Sequence, residues 1–170
     1  MGDVPSHAVA APLVGRDAEL NELAGLVGLG SDSSSGSVLL GGDAGVGKTR
    51  VLAELRSRAQ EAGWTVLVGH CLDFGDSALP YLPFSEMLGT LADLTVPGES
   101  LVDRYPAVRR LLPGRRLLSG GASPDGDTVD PSDLLQAVHS VLDDLAGQAP
   151  LLVVVEDLHW ADTSTRDMVS

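Results

Sequence analysis

The sequence has no long apolar run, a single cysteine and few basic residues, and each shortage excludes a class of protein. No apolar run approaches the roughly 20 residues that cross a bilayer, and the N-terminus lacks the basic region and apolar core of a signal peptide. Cys71 is the only cysteine, so an internal disulfide is impossible. We therefore expect a cytoplasmic chain with no membrane partner, in which Cys71 is a small buried side chain rather than a nucleophile.

Basic residues are also scarce relative to acidic ones: 11 lysines and arginines stand against 24 aspartates and glutamates, for a formal charge of −13. This charge argues against direct nucleic-acid binding by this segment, because such binding depends on cations that neutralise phosphates. It does not oppose ATP, which a glycine-rich loop binds through local dipoles and Mg²⁺. With 170 residues, 44% of them hydrophobic, the chain is long enough for one globular domain.

One stretch organises the rest of the sequence. Residues 42–49 read Gly-Asp-Ala-Gly-Val-Gly-Lys-Thr and match the G-x-x-x-x-G-K-[ST] pattern of a phosphate-binding P-loop. The apolar run before them predicts a first strand over 38–41, and the periodicity after them predicts a helix over 49–62. A glycine-rich turn with an ordinary surface lysine is the alternative. We favour the P-loop because a strand, a loop and a helix in this order are the context it requires.

The residue types of this stretch suit a triphosphate and its metal. Glycines let backbone N–H groups approach phosphate oxygens, Lys48 supplies a point charge for the β- and γ-phosphates, and the Thr49 hydroxyl suits Mg²⁺. The predicted cofactors are ATP and Mg²⁺. The predicted nucleotide-binding residues of the loop are Gly42, Asp43, Ala44, Gly45, Val46, Gly47, Lys48 and Thr49.

Hydrophobic periodicity and turn residues predict the remaining elements. Strand, helix and strand in sequence imply a right-handed βαβ unit and a parallel sheet. The predicted elements are a mobile tail over 1–12, a helix near 17–27, a strand over 64–69 buried on both faces, helices over 84–94 and 101–112, a loop over 119–130, a helix that begins at Pro131, and a strand over 151–155.

Five of the basic residues lie between residues 104 and 116. They can form a local anion or partner site, or simply a solvated helix face, and we favour the solvated face because charged runs usually remain in water. These residues are Arg104, Arg109, Arg110, Arg115 and Arg116.

The apolar strand predicted over 151–155 ends in Glu156 and Asp157. A buried parallel strand delivers such acids to the C-terminal edge of its sheet, where α/β proteins bind ligands. One carboxylate can hold Mg²⁺, usually through water, and the other can orient or deprotonate an attacking water. An apolar strand ending in acids is common, so by itself it is as compatible with a structural role as with a functional site. Together with the P-loop it predicts a Walker B motif, with Glu156 and Asp157 as candidate catalytic residues.

Four motifs in order carry a family resemblance: Val14-Gly15-Arg16-Asp17, the P-loop, Pro80-Tyr81-x-Pro83, and Glu156-Asp157-Leu158-His159-Trp160-Ala161-Asp162. From about Leu13 onward the chain resembles the STAND-type, AAA-type ATPase module of large ATP-binding LuxR-type transcriptional regulators. Similar modules occur in some multidomain adenylate cyclases and serine/threonine kinases. The resemblance implies a three-layer α/β P-loop fold over residues 13–170 that binds ATP and hydrolyses it slowly, as a nucleotide-dependent switch.

The resemblance also implies residue roles. Lys48 and Thr49 bind phosphate and Mg²⁺, Glu156 is the acid on the Mg²⁺ side, and Asp157 handles the water. Relatives more often have Asp first and Glu second, so here a shorter side chain must reach the water. Arg16 either frames the nucleotide base or forms a structural salt bridge. His159 and Trp160 match the family, with packing beside the site as their expected role.

In the ATPases that this chain resembles, two strands of the sheet are not neighbours: the strand before the P-loop and the strand that carries the acids. A strand that comes later in the sequence lies between them in the sheet. The sequence ends at Ser170, soon after Asp157, so we expect the N-terminal part of the domain, apparently truncated after the Walker B strand. Unpaired strand edges then predict poor stability, self-association or weak nucleotide affinity. DNA binding is expected only from a C-terminal region beyond this segment.

Two other functions are compatible with the sequence. In one, the chain is a non-catalytic interaction module whose acidic surface or arginine-bearing helix docks a partner. In the other it is a metabolic kinase, which the lack of an acceptor-substrate signature disfavours. ATP binding and phosphate release discriminate among them.

Overall fold

The computed structural model describes residues 15–30, 36–73, 79–94, 101–112 and 131–170, which form helices and a small parallel sheet. The tail predicted over 1–12 and the loop predicted over 119–130 lie outside the described residues. The helices are α1 (Asp17–Leu26), α2 (Lys48–Glu61), α3 (Leu82–Leu94), α4 (Leu101–Arg104), α5 (Pro131–Ala146) and α6 (Thr163–Val169), with 3₁₀ turns at Pro106–Arg110 and Leu158–Trp160, and the strands are β1 (Thr65–His70) and β2 (Leu151–Glu156).

The chain divides into two compact units, Met1–Ala62 and Gly63–Ser170. In the first unit α1 packs against α2, as the apolar spacing of both segments predicts. Acidic side chains occupy the first turn of α1, where the helix dipole favours negative charge. The buried residues of the two helices are Leu20, Leu23, Val51, Leu55 and Ala59.

The prediction of a strand over 38–41 is wrong. The structure assigns no strand to residues 36–43, and the Leu39 side chain is 82% exposed. An apolar run becomes a strand only where a neighbouring strand accepts its backbone hydrogen bonds, and the sheet among the described residues contains β1 and β2 alone. The βαβ unit predicted from that strand is therefore replaced by a parallel pair formed later in the chain.

In the second unit β1 pairs with β2 in parallel, and the register runs from Thr65 opposite Leu151 to His70 opposite Glu156. No residue of either strand is exposed, which agrees with the prediction of strands covered on both faces. The α3 helix packs against β1 and α5 against β2. Because the strands are parallel and in register, their carboxyl ends bring His70 and Glu156 side by side.

The core of this unit is a single apolar cluster contributed by β1, α3, the 3₁₀ turn at 106–110, α5 and α6. It explains the strong apolar stripe of α5. Its buried members are Leu67, Phe84, Met87, Leu88, Leu91, Val108, Leu111, Leu134, Val138, Val141 and Met168.

The helix predicted over 101–112 is broken into α4 and a 3₁₀ turn. Pro106 disfavours a helical conformation for the residue before it, and Tyr105 has φ of −130° and ψ of 77°. Arg104, one of the basic residues that the sequence groups together, lies 3.0 Å from the Asp144 carboxylate, which also accepts a hydrogen bond from the Tyr105 hydroxyl. Arg104 is 61% exposed and Arg109 and Arg110 are exposed, in agreement with a solvated face. Arg115 and Arg116 lie outside the described residues.

Candidate functional site

The P-loop begins without regular structure and ends at the N-terminus of α2. Its three glycines have positive φ: 152° at Gly42, 79° at Gly45 and 99° at Gly47. A residue with a side chain would be strained at these backbone angles. Gly47 is the N-cap of α2 in the left-handed conformation, and no side chain caps the helix. The first N–H groups of α2 therefore lack intrahelical partners, as an anion site at a helix N-terminus requires.

The loop has room for a ligand. A Cβ added at Gly45 or Gly47 would meet nothing within 4 Å, and residues 41–47 are all exposed. At Gly42 a Cβ would lie 3.3 Å from Cγ1 of Val46, so that glycine is needed for the loop to close on itself. Backbone N–H groups, an ammonium and a hydroxyl on an exposed loop fit a polyphosphate with its cation.

Lys48 reaches back across the loop that precedes it. Its Nζ donates hydrogen bonds to the carbonyl oxygens of Gly42 at 2.7 Å and Asp43 at 2.9 Å. These two bonds hold the ammonium over the loop, with a third proton available to another acceptor. Thr49, the next residue, is exposed.

Arg16 lies immediately before α1 and also contacts the loop. One guanidinium nitrogen donates to the Glu19 carboxylate at 2.8 Å, and the other donates to the Val46 carbonyl at 3.2 Å. The structural salt bridge considered for Arg16 is thus present. The backbone hydrogen bond at Glu19, and then Arg16, hold the pKa of the Glu19 carboxyl below its usual value, so the pair remains charged at neutral pH.

The paired acids follow β2 in the second unit and have different environments. Glu156 ends the strand and is 7% exposed, whereas Asp157 is exposed. Asp157 has φ of 56° and precedes the 3₁₀ turn without a capping hydrogen bond from its side chain. The chain therefore turns sharply between the two carboxylates. A buried acid next to an exposed one allows two different roles.

Sequence reasoning missed His70, which lies beside Glu156, and Glu86, which contacts His70. His70 Nδ1 lies 3.0 Å from both Glu86 carboxylate oxygens, and its Nε2 lies 3.9 Å from Glu156 Oε1. The His70 backbone N–H also donates to Glu86 at 2.9 Å. A buried carboxylate needs such partners. The sequence does hold a signal for His70, which follows an apolar run predicted to pair in parallel with the strand that ends at Glu156. Nothing in the sequence predicts that Glu86 lies beside His70.

His159 and Trp160 lie beside the acids with their rings 4.9 Å apart, and Trp160 is 48% exposed. After them Asp162 caps α6 by accepting hydrogen bonds from the backbone N–H groups of Ser164 and Thr165. Trp160 and Asp162 border a shallow hollow whose inner wall includes Cys71.

Cys71 is 2% exposed, which confirms the expected small buried side chain. We predict that it reacts slowly with iodoacetamide in the native protein, because burial and then the charges of Asp162 and Asp157 raise the pKa of its thiol and deplete the reactive thiolate. The rate of alkylation, followed by mass spectrometry, should be at least about 10-fold lower in the native protein than in denaturant. Equal native and unfolded rates would contradict this assignment.

Within the described ranges, no group of three or more His, Cys, Asp or Glu side chains is arranged to hold a metal ion by itself. The Thr49 hydroxyl belongs to the first unit, and the Glu156 and Asp157 carboxylates belong to the second. Each is an oxygen donor of the kind that Mg²⁺ binds. In the described part of the chain, no helix combines the length and the apolar character needed to span a membrane.

Comparisons with known proteins show the family to which the chain belongs. A family model described as an AAA ATPase domain matches residues 12–170. The chain is also similar to a Rhizobium meliloti (strain 1021) protein named "Uncharacterized protein R02095", with 30% identity over 177 residues. That alignment covers 95% of this chain and 17% of the relative, so the chain spans less than a fifth of the relative's length. No solved structure matches the chain significantly.

Proposed function

The chain belongs to the AAA ATPase domain family, and on that premise we propose that it is the ATP-binding, slowly hydrolysing segment of a signalling ATPase that acts as a nucleotide-dependent switch. Family membership supports a nucleotide-binding ATPase module. The single observation that supports the proposal most is the open glycine loop at the uncapped N-terminus of α2, with the Lys48 ammonium held over it. The loop suits ATP and ADP as ligands.

The proposed residue roles follow from chemistry and position. Lys48 and the loop N–H groups bind the β- and γ-phosphates, and Thr49 and Glu156 contribute oxygens to Mg²⁺. Asp157 orients the attacking water. Its exposure and its turn away from β2 support a role towards solvent, whereas the burial of Glu156 beside His70 supports a fixed role. Bound Mg²⁺ would supply charge stabilisation for phosphoryl transfer.

The parent protein is proposed from the order of motifs. The resemblance to LuxR-type regulators supports a segment of a transcriptional regulator with a three-layer α/β ATPase domain, whose DNA contacts are made elsewhere in the parent. The exposed apolar side chains of Val38 and Leu39 support self-association. The same module in a multidomain adenylate cyclase or serine/threonine kinase is the alternative.

Separate substitutions of the two acids test the proposed roles. We predict that Asp157→Asn lowers phosphate release at least about 100-fold, the usual contribution of a positioned acid or base, and leaves binding of a fluorescent ATP analogue unchanged. Glu156→Gln should instead lower the Mg²⁺-dependent part of the binding, because it removes a charged metal ligand. Binding is measured by fluorescence titration with and without Mg²⁺.

Asp133→Asn serves as the control, since it removes an exposed carboxylate from the first turn of α5. It should change neither quantity. If Asp157→Asn released phosphate as fast as the unsubstituted chain, the catalytic assignment would be wrong. If the unsubstituted chain bound no nucleotide at all, the ATPase proposal would fail in favour of an interaction module.

A further inference from the structure

Arg16 connects the start of α1 with the middle of the P-loop, thirty residues later in the chain. Its guanidinium is held by two acceptors, the Glu19 carboxylate at 2.8 Å and the Val46 carbonyl at 3.2 Å. Glu19 lies on α1 itself, so the ion pair fixes the arginine side chain relative to that helix. The second contact then ties the helix to the loop.

The helix that carries this contact is firmly placed within its unit. α1 packs against α2, and Leu20, one turn from Arg16, is fully buried. The two helices are also joined by a hydrogen bond from Arg58 to Asn21 at 3.1 Å. Because α2 begins where the loop ends, the packing of α1 on α2 and the Arg16 contact are sufficient to connect α1 to the loop at two points. The Arg58 bond lies outside this connection.

The middle of the loop is otherwise weakly held. The Val46 side chain is 44% exposed, and the Val46 N–H donates to the Asp43 carbonyl over 3.4 Å, a long bond. Glycines on both sides remove the steric limits that restrict other residues. The bond from Arg16, at 3.2 Å, is the shorter of the two and is the contact made by the Val46 carbonyl itself.

The direction of that carbonyl determines the direction of a phosphate-binding group. The Val46 C=O and the Gly47 N–H belong to one planar peptide unit, and none of the described peptide bonds is cis. In a trans peptide the two groups point in opposite directions, so a carbonyl held towards Arg16 turns the Gly47 N–H away from it. The Gly47 carbonyl is held separately, by N–H groups of Arg50 and Val51 at 3.1 Å.

We propose that Arg16 is a positioning residue that holds the Val46–Gly47 peptide unit in the orientation needed to bind polyphosphate, and that it does so without contacting the nucleotide base. This inference rests on the proposed nucleotide binding. It predicts that Arg16 contributes equally to the binding of ATP and of tripolyphosphate, which has no base.

The test is calorimetric titration of the chain with Mg·ATP and with Mg·tripolyphosphate. Arg16→Ala should weaken both ligands by the same factor, about 5- to 10-fold, as expected for loss of a charge-assisted hydrogen bond to an exposed group. Loss of ATP affinity alone would overturn the inference, because it would show that Arg16 contacts the base. Unchanged affinity for both ligands would overturn it as well.

A second variant separates positioning from direct attraction between Arg16 and phosphate. Glu19→Gln removes the carboxylate that holds Arg16 and leaves the arginine charge in place. If Arg16 acts by positioning the loop, Glu19→Gln should lower the affinity for both ligands about 2- to 3-fold. The expected effect is small because an exposed ion pair contributes little free energy. Direct attraction predicts tighter binding, because a negative charge near the site is removed, and that result would contradict positioning.

Arg58→Ala is the matched control. It removes an arginine that joins the same two helices and does not touch the loop. We expect its affinity for both ligands and the Tm of all three variants to remain close to those of the unsubstituted chain. An unsubstituted chain that bound neither ligand would refute the proposed function itself, whereas normal binding by Arg16→Ala would refute only the positioning role.

Discussion

Substitution of Lys48 by alanine is expected to weaken Mg·ATP binding about 100-fold while the chain stays folded. The ammonium is held at the loop by the carbonyls of Gly42 and Asp43 at 2.7 and 2.9 Å, where it can meet phosphate oxygens. Hydrogen bonds to charged groups contribute about 1.5–3 kcal/mol each, and about 1.4 kcal/mol corresponds to a tenfold change in affinity. Loss of this cation should therefore remove about 2.8 kcal/mol of the binding free energy of a triphosphate, which corresponds to the 100-fold loss of affinity.

Titration with a fluorescent ATP analogue measures this loss, and thermal melting verifies the fold. Arg58→Ala serves again as the control, because it removes one positive charge from α2 at a distance from the loop. If Lys48→Ala bound the analogue as tightly as the control, the loop would not be a phosphate site.

The composition of the chain offers an independent measurement of the same contact. Lys48 is the only lysine in the sequence, so an amine-reactive ester can modify only this side chain and the N-terminal amine. Mg·ATP should slow modification of Lys48 about 10-fold or more and leave the N-terminus unaffected, because phosphate oxygens that accept hydrogen bonds from the amine cover it. Equal protection of both amines would indicate a nonspecific effect.

The features that the sequence predicted correctly are those determined by neighbouring residues. The positive φ values at Gly42, Gly45 and Gly47 are conformations for which glycine is chosen, and the helix after the loop follows from a local apolar spacing. The run over 151–155 forms a strand because it is apolar and β-branched and ends at charged residues.

The features that the sequence did not predict depend on residues far apart in the chain. Val38 and Leu39 are as apolar as residues of β2, yet no strand forms there because a strand requires a partner as well as a propensity. The contact between Glu86 and His70 joins a helix to a strand sixteen residues earlier, and no spacing rule predicts it. The break at Pro106 was foreseeable, since proline disfavours a helical residue before it.

Gly69 is the clearest case of a long-range constraint that left a signal in the sequence. Glycine is unfavourable inside a strand, so its presence there often marks the close approach of another backbone. In β1 it faces the first turn of α3. A Cβ at this position would lie 2.3 Å from the carbonyl oxygen of Pro83 and 2.7 Å from two further backbone atoms of that residue.

Gly69→Ala is therefore expected to destabilise the chain by about 3 kcal/mol and to lower its Tm by about 10 °C. The clash involves backbone atoms, which cannot rotate away as a side chain can. Pro83 is itself buried, so α3 must shift as a whole or β1 must move out of register with β2. Thermal and urea unfolding measure the loss.

Gly25→Ala is the control for this substitution. Gly25 lies in α1, and a Cβ there would meet nothing within 4 Å. Because alanine favours a helix more than glycine does, this variant should be unchanged or up to about 1 kcal/mol more stable. A Gly69→Ala protein that melted together with the Gly25→Ala protein would show that α3 does not approach β1 this closely. The displacement caused by Gly69→Ala should also move His70 and Glu156, because Gly69 precedes His70 and pairs with Val155, the residue before Glu156.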